Sequence, residues 1–182
     1  HGDPMTQDGR APDAAVPKFD FVIIGAGPAG EAAAFEARRR GASVAILDRL
    51  WVGGSCPHIG CIPSKSLLGS ADRHAANPAA WSWRDAAAHR DWMVNRPPDA
   101  EEPDDTTHVR ELEAAGAVVY RGEARIASRG VIEVRHDGAT HEVGGRDVIV
   151  AVGSASKVPP LPGLEGITVW TNREATLARE LP

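Results

Sequence analysis

Apolar positions along the chain gather into short runs, and their spacing changes from region to region. Residues 1–17 hold no such run. They are polar, with three Pro and three Asp, and are expected to be disordered. Met5 reads as a natural start, with His1 to Pro4 as an added remnant. Phe19 to Ile24 is a continuous apolar, β-branched run, the pattern of a buried strand. Glu31 to Arg40 consists of strong helix formers, with an acid at its start and three Arg at its end. That charge order suits the helix dipole, and Gly41 supplies a stop. Ser43 to Leu47 is a second strand, ending at Asp48. Strand, glycine turn, helix and strand within about 30 residues predict two parallel strands joined by a crossover helix.

Further along, Ser66 to His74 and Trp81 to Trp92 are read as helical, and Arg96 to Thr107 as a Pro- and acid-rich loop. His108 to Ala115 reads as another helix, closed by Gly116. From Ala117 the pattern shortens to strands over 118–120, 124–127, 131–135, 141–143 and 147–152. Asp137-Gly138 is a hairpin signal. Leu161-Pro-Gly163 opens a linker that runs to 182. No internal repeat is visible. The expected class is α/β: a parallel sheet followed by an antiparallel meander.

Composition narrows the function classes. The chain has 182 residues, 42% apolar and 25% charged, which suits one globular domain, or one and a fraction. A net charge of −5 from 20 basic and 25 acidic residues gives no nucleic-acid surface. No apolar run approaches the ~20 residues of a membrane span, and the start lacks a signal-peptide pattern. A cytoplasmic protein without nucleic-acid or membrane partners is expected. Two cysteines cannot make a disulfide scaffold, so their placement matters more than their number.

Gly25-Ala-Gly-Pro-Ala-Gly30 fits G-x-G-x-x-G. Such a turn needs a sharp bend, close backbone approach to a pyrophosphate, and close helix–strand packing. The helix N-terminus then offers free N–H groups to phosphate. Pro28 suits the first helical turn because its missing N–H would be an orphan there. Alone the motif is weak, and an ordinary tight turn remains its bland alternative. Its position between strand and helix, with Asp48 placed to accept ribose hydroxyls, strengthens it. Asp48 disfavours a 2′-phosphate, although Arg49 softens that objection.

Cys56 and Cys61 lie five apart. In a regular helix their Cα atoms would be ~8.6 Å apart, beyond the roughly 7 Å a disulfide tolerates. A bridge therefore needs a loop or a distorted first turn, which Pro57, Gly60 and Pro63 favour. So small a ring adds only about 2 kcal/mol as a staple, and a redox-active dithiol is the sharper reading. Its thiolate would be favoured by a helix N-terminus or by Lys65 or His58. Free buried cysteines, and a zinc site of Cys56, His58 and Cys61 that lacks a fourth ligand, stay open. His58 alone reads as a packing or solvent residue; no metal is expected.

Taken together, the glycine turn, the acidic strand end and Gly53-Gly-Ser-Cys-Pro-His-Ile-Gly-Cys-Ile-Pro-Ser-Lys65 resemble the class I pyridine nucleotide-disulfide oxidoreductases. This family includes dihydrolipoamide dehydrogenase, glutathione reductase and mercuric reductase. Asp147 to Gly153, then Pro159 to Gly163, resembles a later flavin-domain segment and its exit, and Trp170 to Ala175 with Leu181-Pro182 resembles the stretch just before the NAD(P) domain, so the resemblance covers about residues 18–182. It implies a three-layer Rossmann-like FAD-binding domain over 18–160 and a linker over 161–182. Gly25, Gly27, Ala29 and Gly30 would hold the FAD pyrophosphate, Asp48 (beside Arg49) the ribose, and Gly54 and Ser55 the flavin entry. Cys61 would be the flavin-facing sulfur, Cys56 the sulfur that meets substrate, and Lys65 the neighbour of flavin N5. Glu123, Ala124, Ala151 and Gly153 would add dinucleotide contacts.

The implied reaction passes electrons from NAD(P)H through FAD to a Cys56–Cys61 disulfide and a thiol or disulfide substrate, or the reverse. The family's nicotinamide domain, its C-terminal His-Glu pair and its homodimeric partner do not fall within these residues. The chain is therefore expected to be a first part that does not turn over alone, with an incomplete sheet and an exposed strand edge. A non-enzymatic dinucleotide-binding or redox-sensing module is the rival reading. Three departures stand out: Asp48 where Glu is common, Pro57-His58 where an apolar–Asn pair is usual, and Val152 where Thr is usual. Trp81, Trp83 and Trp92 are expected to pack rather than line a channel. Asp99 to Asp105 is expected to be a solvated loop, and His108, His136 and His141 to be surface residues.

Overall fold

A computed structural model describes residues 16–181. Apart from Val16 and Pro17, the stretch expected to be disordered lies outside these residues. Strands β1 (Lys18–Ile24), β2 (Val44–Asp48), β3 (Val118–Arg121), β4 (Glu123–Ser128), β5 (Val131–His136) and β6 (Ala139–Val150) form one six-stranded sheet. The order is β3-β2-β1-β6-β5-β4. The first four of these neighbours run parallel, while β4, β5 and the first half of β6 form an antiparallel meander.

The continuous apolar runs of β1 and β2 follow from burial on both faces. Ile23, Val44 and Ile46 face Ala34 of α1 (Pro28–Arg39) and Leu112 of α5 (Thr106–Ala114). Val22, Ala45 and Leu47 face the other way, against Ile132, Val134 and Val143 of the meander. Helices, parallel sheet and meander are thus three layers with two cores, the α/β class expected.

The strands expected at 141–143 and 147–152 are a single strand. Residues 139–144 pair with β5, and 144–150 pair with β1. Gly144 and Gly145, which look like a break in sequence, are where the strand changes partner. Their amides donate to Pro17 and Gly130, and a Cβ at Gly145 would lie 2.6 Å from Val22 Cγ2. Beyond 144, β6 has β1 on one side and no strand on the other among the described residues. Val150 is 61% exposed there.

The helices differ at their ends. A short α2 (Ser55–His58) precedes α3 (Cys61–Ala76), which starts five residues before the expected helix. Pro63 sits in its first turn, where a missing N–H costs nothing. α4 (Trp83–Met93) starts at a Ser82–Asp85 capping box. Its buried stripe is Ala86, Ala87, Arg90 and Asp91, so Trp92 does not pack as expected but is 74% exposed. α5 begins inside the expected acidic loop, and Asp105 at that point is buried rather than solvated.

Within 161–182 lies a further helix, α6 (Asn172–Leu177), opened by a Thr171–Glu174 capping box. The carboxyl end of α4 grips it. Arg90 is fully buried and donates to the Thr176 and Ala178 carbonyls at 2.6 and 2.9 Å. Arg96 donates to Leu177 O at 2.8 Å. Asp91 answers the charge, accepting from Arg90 at 2.8 Å and Arg179 at 2.9 Å.

Ile46 is fully buried between α1 and the sheet. Ile46→Ala is expected to cost about 2–5 kcal/mol, the range for truncating a buried aliphatic side chain, as read by urea unfolding.

Candidate functional site

The glycine turn is built by backbone contacts. Gly25, with φ of 101°, donates to Leu47 O at 2.7 Å. A Cβ on Gly25 would lie 2.3 Å from Ala151 O, and one on Gly30 would lie 1.9 Å from Gly25 O. These two glycines are required by the fold itself. Gly27 is not: a Cβ there would meet nothing closer than Gly54 Cα at 3.8 Å. Its backbone at φ −78° and ψ −176° suits any residue. It borders open space at the N-terminus of α1, where no side chain caps the helix. Among the described residues no side chain accepts from the orphan amides of the first turn, Ala29 included. An anionic group that approaches the backbone closely fits this place.

Asp48 ties the turn to β2. Its Oδ2 accepts from Ala26 N and its Oδ1 from Leu50 N, both at 2.8 Å. Each oxygen keeps a second lone pair for a ligand hydroxyl. Arg49 beside it is exposed. Glu123 and Ala124 start β4 next to this strand end, and Gly122 N donates to Asp48 O at 2.9 Å. Glu123 is exposed, whereas the Ala124 side chain packs on the meander core. Ala151 N donates to Ile24 O at 2.8 Å and so sits beside the turn, with Gly153 exposed beyond it.

A second loop faces the first. Gly53 N donates to Ala26 O at 2.8 Å, and Gly54 (φ 68°) approaches Gly27 so closely that a Cβ would lie 2.6 Å from its Cα. The loop is stapled from below. Asp105 Oδ2 accepts from Val52 N at 2.7 Å, and Arg121 grips both Asp105 oxygens at 2.6 Å. Burial pushes the Asp105 carboxyl up, but the Arg121 and Val52 hydrogen bonds outweigh it and hold the carboxyl below its ordinary range.

This loop delivers the cysteines. Ser55, Cys56 and Pro57 lie in α2, and the backbone breaks at Ile59 and Gly60 before Cys61 starts α3. The break brings the two Cα atoms to 4.8 Å, and the sulfurs are joined as a disulfide. No cysteine is free, and no cluster suited to a metal occurs among the described residues. Cys56 is half-buried and Cys61 exposed. Lys65 follows Cys61 by one helical turn, hence on the same face. It is exposed and makes no ion pair among the described residues.

His58 is 2% exposed, a packing residue between the cysteines. Its Nε2 donates to Val52 O at 2.8 Å, because a carbonyl only accepts, and Nδ1 is buried without a partner. Its ring lies against Trp51 and His108. Burial is the main cause that pushes its pKa down, with help from His108. His108 is not the surface residue expected: its Nδ1 lies 2.9 Å from Glu31 Oε1 and it is half-buried. These supports under the loop, with Asp105 and Arg121, carry no sequence motif. Only the Thr171-x-x-Glu174 capping signal marks α6 in sequence.

Comparison with known proteins gives a consistent result. The family model described as pyridine nucleotide-disulphide oxidoreductase matches residues 19–182. A dihydrolipoyl dehydrogenase of Chlorobaculum parvum is 34% identical over 172 residues, covering 91% of this chain and 36% of that protein. A mercuric reductase of Acidithiobacillus ferrooxidans is 31% identical over 191 residues, covering 100% of this chain and 33% of that protein. Among solved structures, the HOCl-induced flavoprotein disulfide reductase RclA of Escherichia coli matches with a TM-score of 0.75 and 26% identity, over 90% of this chain and 35% of that one. The chain spans about a third of the length of these relatives.

A lowered histidine pKa in the fold means that, below about pH 6.5, the unfolded chain takes up a proton that the folded chain refuses. His58 therefore contributes stability above that pH and loses it as pH falls toward its folded value. Protonation would also bury an Nδ1–H without an acceptor. His58→Asn is expected to shrink the stability difference between pH 7.5 and pH 5.5, measured by urea unfolding at each pH. An unchanged difference would show that His58 does not titrate as described.

Proposed function

Because the chain belongs to the pyridine nucleotide-disulphide oxidoreductase family, we propose that it forms the FAD-holding first part of a flavin disulfide oxidoreductase, with Cys56–Cys61 as its redox-active pair. The observation that carries this reading is the meeting of two loops. The Gly27 turn leaves a cradle that the fold does not need, and the facing Gly54 loop leads directly into the disulfide.

In this reading, the amides of Gly27, Ala29 and Gly30 at the α1 N-terminus bind the pyrophosphate. Asp48 accepts from the ribose, while Gly54 and Ser55 flank the flavin entry. Glu123, Ala124, Ala151 and Gly153 border the same groove, chiefly through their backbones. FAD, when bound, supplies two-electron transfer between a nicotinamide and the sulfur pair. Cys56 and Cys61 do the rest. In the reduced chain the Cys56 thiolate attacks a substrate disulfide, forming one S–S bond as the substrate's own breaks. Cys61 then attacks Cys56, restoring the ring and releasing the second substrate thiolate, so that two electrons have passed to the substrate. Lys65, one turn from Cys61 and in no ion pair among the described residues, is the nearby cation of this reading. NAD(P)H as donor, a thiol or disulfide substrate, a homodimeric parent and a cytoplasmic site complete the proposal.

The full-length protein carrying this chain is expected to show a bound-flavin absorbance spectrum and to gain two titratable thiols on adding NADH or NADPH. Absence of flavin from it would overturn the reading. A chain that binds a dinucleotide without thiol chemistry would favour the non-enzymatic dinucleotide-binding module instead.

A sharper check uses Gly27→Ala. The added methyl meets only Gly54 Cα, at an ordinary van der Waals distance of 3.8 Å, so urea unfolding is expected to stay within about 0.5 kcal/mol of the parent. FAD affinity, read by fluorescence titration, is expected to fall at least about tenfold, the equivalent of about 1.4 kcal/mol.

A further inference from the structure

The ring closed by the disulfide is held from outside at one carbonyl. Ile59 lies between the two cysteines, and its oxygen accepts from two side chains of α6: Thr176 Oγ1 at 2.9 Å and Asn172 Nδ2 at 3.3 Å. α6 is itself fixed at its far end by Arg90 and Arg96, which bond the carbonyls of residues 176–178. Arg173 adds a second tie to the cysteine loop, with its guanidinium 4.6 Å from the Trp51 ring centroid. The helix bridges the sulfur ring and two arginines, buried Arg90 of α4 and Arg96 just beyond it.

Resting on the reading that this pair is redox-active, we propose that Thr176 and Asn172 are positioning residues for it. They hold the Ile59 carbonyl where the closed ring puts it, favour disulfide over dithiol, and couple the redox state to the seating of α6. The Thr176 hydroxyl has one proton and three acceptors within reach: Ile59 O and, on its own helix, Asn172 O at 2.7 Å and Arg173 O at 3.5 Å. When the ring opens and Ile59 shifts, the hydroxyl falls back on its own helix and the Asn172 amide loses its partner. Because coupling is reciprocal, a contact that loosens on reduction also resists reduction.

The test is equilibrium reduction of the full chain by dithiothreitol, with free thiols counted by alkylation and mass spectrometry. The exchange breaks the Cys56–Cys61 bond and closes the cyclic disulfide of the reagent, moving two electrons and two protons to the pair. Thr176→Val is expected to raise the equilibrium constant for reduction about three- to tenfold, the range for losing one side-chain hydrogen bond. Thr176→Ser, which keeps the hydroxyl, is expected to stay within about twofold of the parent. In the parent itself, reduction is expected to speed hydrogen exchange of the amides over 171–178; this needs no variant. Reversible reduction with the same constant in Thr176→Val, or α6 exchange unaffected by reduction, overturns the inference while leaving the redox reading in place. A pair that yields no thiols at any reagent ratio removes both.

Discussion

The structure depends on how closely α1 approaches the turn that precedes it. A Cβ at Gly30 would lie 1.9 Å from the Gly25 carbonyl, and one at Gly25 would lie 2.3 Å from the carbonyl of Ala151. Three segments thus cross with only backbone between them: the end of β1, the start of α1 that follows it directly, and, far along the chain, the exit of β6. From this crossing the helix axis, the open cradle at Gly27 and the path of residues 151–153 all follow. The second loop is then fitted against the first through Gly53 and Gly54. Steric exclusion, more than any single hydrogen bond, sets where a ligand can lie.

Two acids stand near the N-terminus of α1, where the helix dipole favours negative charge, and the fold disposes of both. Asp48 spends one lone pair of each oxygen on a backbone amide, and Glu31 in the first turn of α1 is met by His108. Their charge is partly committed before a ligand arrives. Below the second loop, Asp105 and Arg121 pair so that buried charge serves to fix the backbone that leads to the cysteines. Rigid support of this kind matters because reacting atoms misplaced by about an ångström lose most of their advantage.

Much of this was legible in the sequence, for identifiable reasons. β1, α1 and β2 are local, with their apolar periods, dipole charges and glycines within about 30 residues. The cysteine loop was legible because its helix-breaking residues are also its motif. What escaped was long-range or ambiguous. Gly144 and Gly145 look like a break, yet they mark a strand that changes partners. Asp105 looks solvated until Arg121 and the Val52 amide reach it. Trp92, the expected packing residue, faces outward because Arg90, held by carbonyls from α6, occupies the interior instead. His58 and His108 show no periodicity that would reveal their burial. Each miss turns on at least one contact between positions dozens of residues apart.

The double pairing of β6 also orders events in time. Lys18, near the beginning of the sheet, pairs with Gly144, and the same strand closes the meander against Val131. In a chain made from its amino end, β1 gains β2 early but waits for its other neighbour until residues 144–150 have followed. Phe21, Val22 and Ile23 are then one-sided and sticky, the condition under which nascent segments aggregate. One late strand joins the helical and meander layers, so neither matures alone. The two layers are thus coupled through pairings as distant as Lys18 with Gly144, the kind of non-local contact that slows folding.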